Sequence, residues 1–226
     1  SPMSRGLGDV YKRQNTDYAE YRPKLNAEEN IMYFTSKRPG GSSDILDDQG
    51  EYYEDIYVSK KKMGVWTEPQ LVNDLINTTE SSSCLYLSPD GEHMFLSMVN
   101  NDQKLGHLGR GIYEARLDGN HWNNPEFLDQ KVNSKYWETY ASLDIYGNVL
   151  FFVSDREGGY GGRDIWMIKK LPSGEWAEPQ NLGEPINTEY DEESPYLHPD
   201  GKTLYFSSKG HKAVSYTHLR AHETSE

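Results

Sequence analysis

The chain has 226 residues, 35% of them hydrophobic, with 36 acidic against 23 basic side chains and a formal net charge of −13. An acidic surface of this size repels phosphate backbones, which argues against nucleic-acid binding, and no apolar run is long enough for a membrane-spanning helix. The 17 tyrosines and five tryptophans favour β-strands over helices.

The two ends of the chain are related to each other in an unusual way. A DNA string that encodes residues 4–14, SRGLGDVYKRQ, also encodes residues 214–223, VSYTHLRAHE, on its opposite strand in another frame. The string resembles a transposase-type sequencing adapter. We therefore expect residues 1–14 and 213–226 to be adapter-derived and residues 15–212 to be an internal part of a longer gene.

Residues 15–212 repeat one pattern. Two short strands flank a tight turn, a longer loop leads to a third strand, and a segment with a tryptophan ends in Ile-Asn-Thr or a related tripeptide. Trp66, Trp122 and Trp176 recur about every 55 residues, a period that indicates repeated β units. We predict units at 15–80, 81–135 and 136–190 and a partial fourth unit at 191–212.

The first two units depart from the common pattern in their loops. Unit one has Ala-Glu-Glu-Asn at 27–30 where later units have Pro-Asp-Gly, and an acidic insertion at 42–53. The insertion invites a calcium-site interpretation, but its spacing fails the EF-hand pattern, so a solvated loop is preferred. Unit two has Asp90-Gly91 in its turn and a different loop at 99–108. Its Cys84 is predicted to be a buried small side chain.

The third unit is the fullest copy. Its predicted strands are 140–145, 149–154, 164–169 and 175–182, with a glycine-rich loop at 155–163 before Asp164. The fourth begins with a strand and the turn that contains Asp200-Gly201. In such turns proline sets φ, aspartate caps the turn and glycine takes the left-handed position.

Four antiparallel strands per repeat predict an all-β fold, a β-propeller fragment of about three and a half four-stranded blades whose ring is incomplete. Solenoids usually have shorter repeats, and a sandwich would not keep tryptophan, glycine and Asn-Thr at constant phase. The open edge of an incomplete ring would be sticky, so we expect the natural protein to continue.

The sequences SPDGxxLYFSS, GGxDIY and GxWxxPxNLGxxINT resemble the WD40-like (Pro-Asp) propeller repeat. That repeat is found in TolB-like proteins and in envelope proteins of Bacteroidetes-type bacteria. The Gly-Gly-Tyr-Gly-Gly-Arg-Asp-Ile-Trp variant is similar to the one found beside OmpA-like peptidoglycan-binding domains. The resemblance implies a periplasmic or outer-membrane-associated location and allows a companion peptidoglycan-binding domain in the parent gene.

The repeated residues are interpreted mainly as scaffold. Trp66, Trp122 and Trp176 are expected to fill space between blades, with sugar stacking as the alternative. Asp55 and Asp164 are expected to accept backbone N–H groups of the preceding loop rather than to act in catalysis. We predict no catalytic residues, no metal site and no cofactor in this chain.

Function is expected where the copies differ. The tight turns and the long loops lie at opposite ends of each unit, and the length variation falls on the loop end, at 37–53, 99–110 and 155–163. The candidate partner-binding residues are Arg38, Asp47, Asp48, Arg110, Arg156, Tyr160 and Arg163.

The leading hypothesis is a non-catalytic, protein-binding or scaffolding propeller of the bacterial cell envelope. One alternative is the gating propeller of a serine peptidase of the prolyl-oligopeptidase type, which would require a Gly-x-Ser-x-Gly domain in the parent gene. Another is a glycan-binding or glycan-active propeller.

Overall fold

The structure is a computed structural model that describes residues 14–43, 45–100, 109–211 and the short strand Leu219–Arg220. The regular elements within those ranges are all β-strands. None of the described segments forms a helix with the length and hydropathy needed to cross a bilayer.

The strands form four sheets that follow one another along the chain. The first contains β1 (Glu20–Leu25), β2 (Ile31–Ser36), β3 (Asp55–Lys62), β4 (Val65–Trp66) and β5 (Gln70–Leu71), in the order β1-β2-β3-β4 with β5 also on β3. The second contains β6 (Ser82–Leu87), β7 (His93–Asn100), β8 (Gly109–Asp118), β9 (His121–Trp122) and β10 (Glu126–Phe127), in the order β10-β8-β7-β6 with β9 on β8.

The third sheet has the order β11 (Glu138–Leu143), β12 (Val149–Ser154), β13 (Asp164–Lys169) and β14 (Gln180–Asn181). The fourth has the order β15 (Glu192–Leu197), β16 (Thr203–Ser208) and β17 (Leu219–Arg220). The strand pairs of the first, third and fourth sheets are antiparallel. By its contacts the chain divides into two compact units, Ser1–Val99 with Tyr113–Glu126 and Asn100–Ile112 with Phe127–Glu226.

The first strand of the third sheet starts and ends two residues earlier than the sequence predicts. Asp144 does not extend it, because its side chain accepts hydrogen bonds from the N–H groups of Asn148 and Val149 and so closes the tight turn. A bulge interrupts the pairing at Tyr140, whose φ is 51°. The bulge adds one residue to this strand and re-aims its side chains.

The fourth strand of the third sheet is much shorter than predicted. Trp176 forms an isolated bridge with Lys170, and regular pairing resumes only at Gln180 and Asn181. Pro179 lies between Trp176 and Gln180 and has no N–H to donate, so the hydrogen-bond ladder is broken there. Strands β12 and β13 have the predicted bounds.

Apolar side chains of successive strands make a core in each compact unit. In the first compact unit Ile56, Ile76, Met94 and Leu96 are fully buried in one cluster with Trp122. In the second compact unit a separate cluster forms around Phe151, Val153, Ile165 and Leu204. Both clusters draw on the central strands of the sheets, because these strands are the ones with neighbours on either side.

In each of the first three sheets an asparagine side chain forms hydrogen bonds with the backbone of the third strand along the chain. Asn133 accepts a hydrogen bond from the Ile112 N–H at 2.8 Å and donates to the carbonyls of Ile112 and Leu128, both at 2.8 Å. Asn77 and Asn187 make the corresponding bonds to Ile56 and Ile165. These are the asparagines of the Ile-Asn-Thr segments, and their amides supply the backbone-like partner that a neighbouring strand would otherwise provide.

The repeated tryptophans differ in their surroundings. Trp122 is buried edge-on against Tyr33 of the first sheet, with a ring-centroid distance of 5.7 Å, and its indole N–H donates to the Tyr33 hydroxyl at 3.2 Å. Trp176 is buried with the Lys170 ammonium 5.3 Å from its ring centroid. Trp66 is only half-buried and has Lys61 over its ring.

Candidate functional site

The long loops and the connections between sheets meet at one end of each sheet, called here the loop side. In the third sheet it consists of residues 155–163, between β12 and β13, and residues 183–191, which lead to β15. The tight turns at 144–148 and 170–175 close the opposite end of the same sheet.

A buried carboxylate organises the loop side of the third sheet. Glu138, at the start of β11, accepts hydrogen bonds from the N–H and hydroxyl of Ser134 at 2.9 and 2.6 Å, and from the Ser154 hydroxyl at 2.8 Å. Its fourth donor is the guanidinium of Arg156 at 3.0 Å, and the two charged side chains are 0% and 9% exposed. The carboxylate can be fully buried here because four hydrogen-bond donors, one of them positively charged, replace the water that it loses.

Arg156 has further partners within the fold. It donates to the carbonyls of Lys131 and Val132 at 2.9 and 2.6 Å. Its guanidinium lies 4.8 Å from the ring centroid of Phe152 and 5.4 Å from that of Trp166. Burial lowers the pKa of Arg156, and Glu138 partly offsets the effect by favouring the charged form.

The first sheet repeats this network. Arg38 binds Glu20 at 3.2 Å and Ser36 at 2.9 Å, and its guanidinium lies 4.7 Å from the ring centroid of Tyr57. Burial alone would raise the pKa of Glu20, but hydrogen bonds from Thr16 and Ser36 and the charge of Arg38 outweigh it, and the pKa is lowered. Arg38 and Arg156 are therefore occupied in the fold and have little surface for a partner, which removes both from the candidate binding residues.

The fourth sheet keeps the carboxylate and lacks the arginine. Glu192 is fully buried and accepts hydrogen bonds from the N–H and hydroxyl of Thr188 and from the Ser208 hydroxyl. Gly210 stands two residues after that serine, where the first and third sheets have arginine. These carboxylates are not among the residues predicted from the sequence, although the spacing Asn-Ser/Thr-x-Tyr-x-Glu occurs at 15–20, 133–138 and 187–192.

Asp164 holds the glycine-rich loop in place. Its carboxylate accepts hydrogen bonds from the N–H groups of Tyr160 and Gly161 and from the Asn181 amide. A Cβ added at Gly161 would lie 2.3 Å from the carbonyl oxygen of Tyr190, so only glycine allows the loop to approach the connection so closely. The loop is thus a fixed support for its side chains.

Arg163 lies at the centre of a charged and aromatic group on the loop side. It forms ion pairs with Glu193 and, at 3.6 Å, with Asp191, and its guanidinium is 4.9 Å from the ring centroid of Trp137. Lys209 binds Asp191 at 2.7 Å. This hydrogen bond, together with the charge of Arg163, holds the pKa of Asp191 below its usual value.

Three aromatic side chains remain exposed next to this group. Trp137, Tyr160 and Tyr190 are 38%, 55% and 51% exposed. The backbone of Trp137 is anchored by a hydrogen bond to Asp155, and the ring of Tyr160 packs over Gly183. Their backbones are fixed while their rings face solvent.

The insertion in the first sheet folds into a small capped turn. Asp47 accepts hydrogen bonds from the N–H groups of Gln49 and Glu51 and lies 4.0 Å from the Lys37 ammonium. These backbone bonds, that of Glu51 first, lower the pKa of Asp47. Asp48 is exposed beside it.

Asp55 caps the end of the same loop. It accepts from the N–H of Ser42 at 2.9 Å and from its hydroxyl at 2.6 Å. Burial raises the pKa of Asp55, and the Ser42 hydrogen bonds oppose the rise.

A groove with a volume of about 340 Å³ opens next to this cap. Its walls come from Ser42, Leu71, Val72, Asp74, Thr78 and Thr79.

The second sheet adds little to the described loop side. Arg110 lies near the start of β8 and is half-buried. Residues 101–108 of the predicted binding loop lie outside the described residues. Within the described ranges, no group of three or more histidine, cysteine or carboxylate side chains is arranged to hold a metal ion.

The Pro-Asp-Gly turns lie at the ends of the sheets opposite the loops. Asp90 accepts from the N–H of Glu92, and Gly91 has a φ of 78°. Asp200 accepts from the N–H groups of Lys202 and Thr203, which lower its pKa to about 2, and Gly201 has a φ of 68°. These aspartates cap turns at the end of their sheets that lies away from the loop side.

The chain matches no protein-family model and no curated protein sequence. It is similar to the solved structure of a putative TolB from Agrobacterium tumefaciens, with 13% identity over 88% of this chain and 73% of that one, and a TM-score of 0.51. It is also similar to an alpha-L-arabinofuranosidase from Lactobacillus brevis, with 11% identity over 89% and 71% of the two chains and a TM-score of 0.53. Likeness at these identities shows the fold alone. It confirms the predicted fold class, an all-β partial β-propeller.

Proposed function

We propose that this partial β-propeller is a non-catalytic module of the bacterial cell envelope that binds a protein partner through the loop side of its sheets. One observation carries the proposal: Tyr160 stands exposed on the loop that also carries Arg163 and that Asp164 holds in place, and Trp137 and Tyr190 stand exposed on the adjoining connections. Aromatic and arginine side chains are enriched in protein interfaces, and a fixed backbone lowers the entropy lost when they bind.

The envelope location is supported by the resemblance of the Pro-Asp-Gly and Gly-Gly-x-Asp-Ile sequences to envelope propeller repeats. A peptidoglycan-binding companion domain in the parent gene belongs to the same proposal. The candidate binding residues are now Tyr160 and Arg163, with Trp137 added from the structure and Asp47, Asp48 and Arg110 kept from the sequence.

A photo-crosslinking experiment tests the proposed side. The photoreactive residue p-benzoylphenylalanine replaces either Tyr160, on the loop side, or Tyr146, which is 78% exposed in the tight turn at the other end of the same sheet. The variants are irradiated in an envelope extract of a Bacteroidetes-type bacterium. We expect a discrete crosslinked protein from position 160 and only background from position 146. Equal yields, or a product from position 146 alone, would contradict the proposal.

Glycan binding is a second candidate, because exposed aromatic rings such as Trp137 also stack on sugars. Sedimentation of the chain with purified peptidoglycan, compared with its Trp137→Ala variant, separates the two. Retention that depends on Trp137, without a protein crosslink, favours the glycan function. Hydrolysis of peptide or glycan substrates by the full-length protein would exclude a non-catalytic role.

A further inference from the structure

The loops of the first and third sheets start in the same way. In both sheets the second strand ends in a serine, and the loop begins two residues later with a similar sequence. It is Arg-Pro-Gly-Gly-Ser at 38–42 in the first sheet and Arg-Glu-Gly-Gly-Tyr at 156–160 in the third. The N–H of Ser42 donates to Asp55, and the N–H of Tyr160 donates to Asp164. A Cβ added to the preceding glycine, Gly41 or Gly159, would meet that same carboxylate, at 1.9 and 2.4 Å. Ser42 and Tyr160 therefore occupy equivalent positions.

The connections that face these two residues are equivalent as well. In the third sheet the Gly183 carbonyl accepts hydrogen bonds from the N–H groups of Ile186 and Asn187. In the first sheet the Asn73 carbonyl accepts the same pair of bonds from Ile76 and Asn77. Residues 73–77 and 183–187 thus have the same local course.

In the third sheet the ring of Tyr160 covers this connection. Its hydroxyl and Cε2 atoms lie 3.6 and 3.8 Å from the position that a Cβ of Gly183 would take. The first sheet has the small Ser42 at that place, and the space beside it is the groove of about 340 Å³. This volume lies within the range of about 300–1,000 Å³ that is typical of small-molecule pockets.

We propose that the groove receives a tyrosine side chain of a partner polypeptide, in the place that the chain's own Tyr160 fills in the third sheet. Leu71 and Val72 would pack against the ring, while Asp74 and the hydroxyl-bearing Thr78 and Thr79 lie within reach of a phenol group. The exposed Asp74 carboxylate and the net charge of −13 favour a tyrosine with basic neighbours. The inference rests on the proposed binding role and deepens it, because it names the side chain that is recognised.

Methyl NMR with short peptides tests the groove directly. The probes are the capped tripeptides acetyl-Lys-Tyr-Lys-amide and acetyl-Lys-Ala-Lys-amide, titrated into the full chain. We expect saturable shifts of the Leu71, Val72 and Thr79 methyl signals with the tyrosine peptide, and none with the alanine peptide. The affinity for the tyrosine peptide should exceed that for acetyl-Glu-Tyr-Glu-amide severalfold and fall with added salt.

Two variants fill the groove from the chain itself. Ser42→Tyr reproduces the third-sheet arrangement and should abolish the shifts, but it also removes a hydroxyl that caps Asp55. Thr79→Trp places a ring at the exposed rim without touching the cap, and should abolish the shifts too. In the opposite direction, Tyr160→Ser should open a second site, reported by the Leu182 methyl signals.

The inference is overturned if the native chain shows no saturable shift with the tyrosine peptide. It is also overturned if Thr79→Trp binds that peptide as the native chain does, or if only the alanine peptide or free N-acetylglucosamine binds in the groove. These outcomes are independent of the crosslink at position 160. A crosslink without groove binding would refute the tyrosine site and leave the proposed function intact. Groove binding without any crosslink would instead refute the proposed binding surface of the third sheet.

Discussion

Replacement of Glu138 by alanine should destabilise the protein more than replacement of its ion-pair partner Arg156. The carboxylate accepts four hydrogen bonds and is fully buried, so its loss leaves a 9% exposed guanidinium without a counter-charge. Removal of one member of a buried ion pair typically costs about 3–5 kcal/mol. We expect Glu138→Ala to fall in that range.

Arg156→Ala should cost less, about 2–3 kcal/mol, from the lost carbonyl hydrogen bonds and ring contacts. Its carboxylate partner would keep three neutral donors, from Ser134 and Ser154. The fourth sheet shows that such a set is sufficient, since Glu192 is buried with donors of the same kind and a glycine replaces the arginine. The double variant should lose about 0.5–3 kcal/mol less stability than the sum of the two single variants, because each single substitution already removes the same ion pair.

Urea unfolding followed by tryptophan fluorescence and by circular dichroism measures these costs, with coincident transitions as the condition for a two-state treatment. Asp48→Ala, on the exposed insertion, is the control and should change stability by no more than about 0.5 kcal/mol. If Arg156→Ala costs as much as Glu138→Ala or more, the assignment of Glu138 as the centre of the network is wrong.

Four further outcomes are expected. Glu29 has a φ of 52° at a turn position where the other three sequence repeats have glycine. Glu29→Gly should therefore raise the melting temperature by relieving about 0.5–1 kcal/mol of strain, and a lowered melting temperature would contradict this. Asn133→Ala should cost at least about 2–3 kcal/mol in urea unfolding, because it removes three hydrogen bonds to the backbone of Ile112 and Leu128, whereas a cost under about 1 kcal/mol would refute that role. Cys84 is fully buried and the pKa of its thiol is raised to about 12, mainly by burial, so iodoacetamide at about pH 8 should modify it only after unfolding; equal rates in buffer and urea would contradict this. Burial raises the folded-state pKa of Asp55 above its ordinary 3.8, so the stability that this carboxyl contributes should decline as the pH rises through that region. The urea midpoint of Asp55→Asn should therefore rise relative to that of the native chain from about pH 3.5 to 7, and a difference that does not change with pH would contradict this.

The repeated motifs were sufficient to predict the fold class. Turn residues such as Asp200 and Gly201 act through bonds within four residues, so a local pattern carries their structural meaning. The bounds of β12 and β13 were predicted correctly for the same reason. The first and fourth strands of the third sheet were misplaced, because a bulge at Tyr140 and a missing N–H at Pro179 change the pairing without changing the apolar alternation.

The candidate site was harder to predict, because exposure depends on partners far along the chain. Arg38 and Arg156 follow a strand and look like loop residues, yet each reaches back 18 residues to a carboxylate. The spacing of Glu20, Glu138 and Glu192 after a serine or threonine was visible in the sequence. Its consequence, a buried charge with a guanidinium beside it, was not.

The repeat period and the local hydrogen-bonding chemistry of its turns were therefore enough to identify repeated β units, since short-range interactions repeat whenever their residues do. Which loop residues are buried and which face solvent was decided by long-range packing. The same applies to Ser42 and Tyr160. An insertion follows Ser42 and none follows Tyr160, and the bond that each makes to an aspartate shows that one position holds a ring and the other borders an open groove.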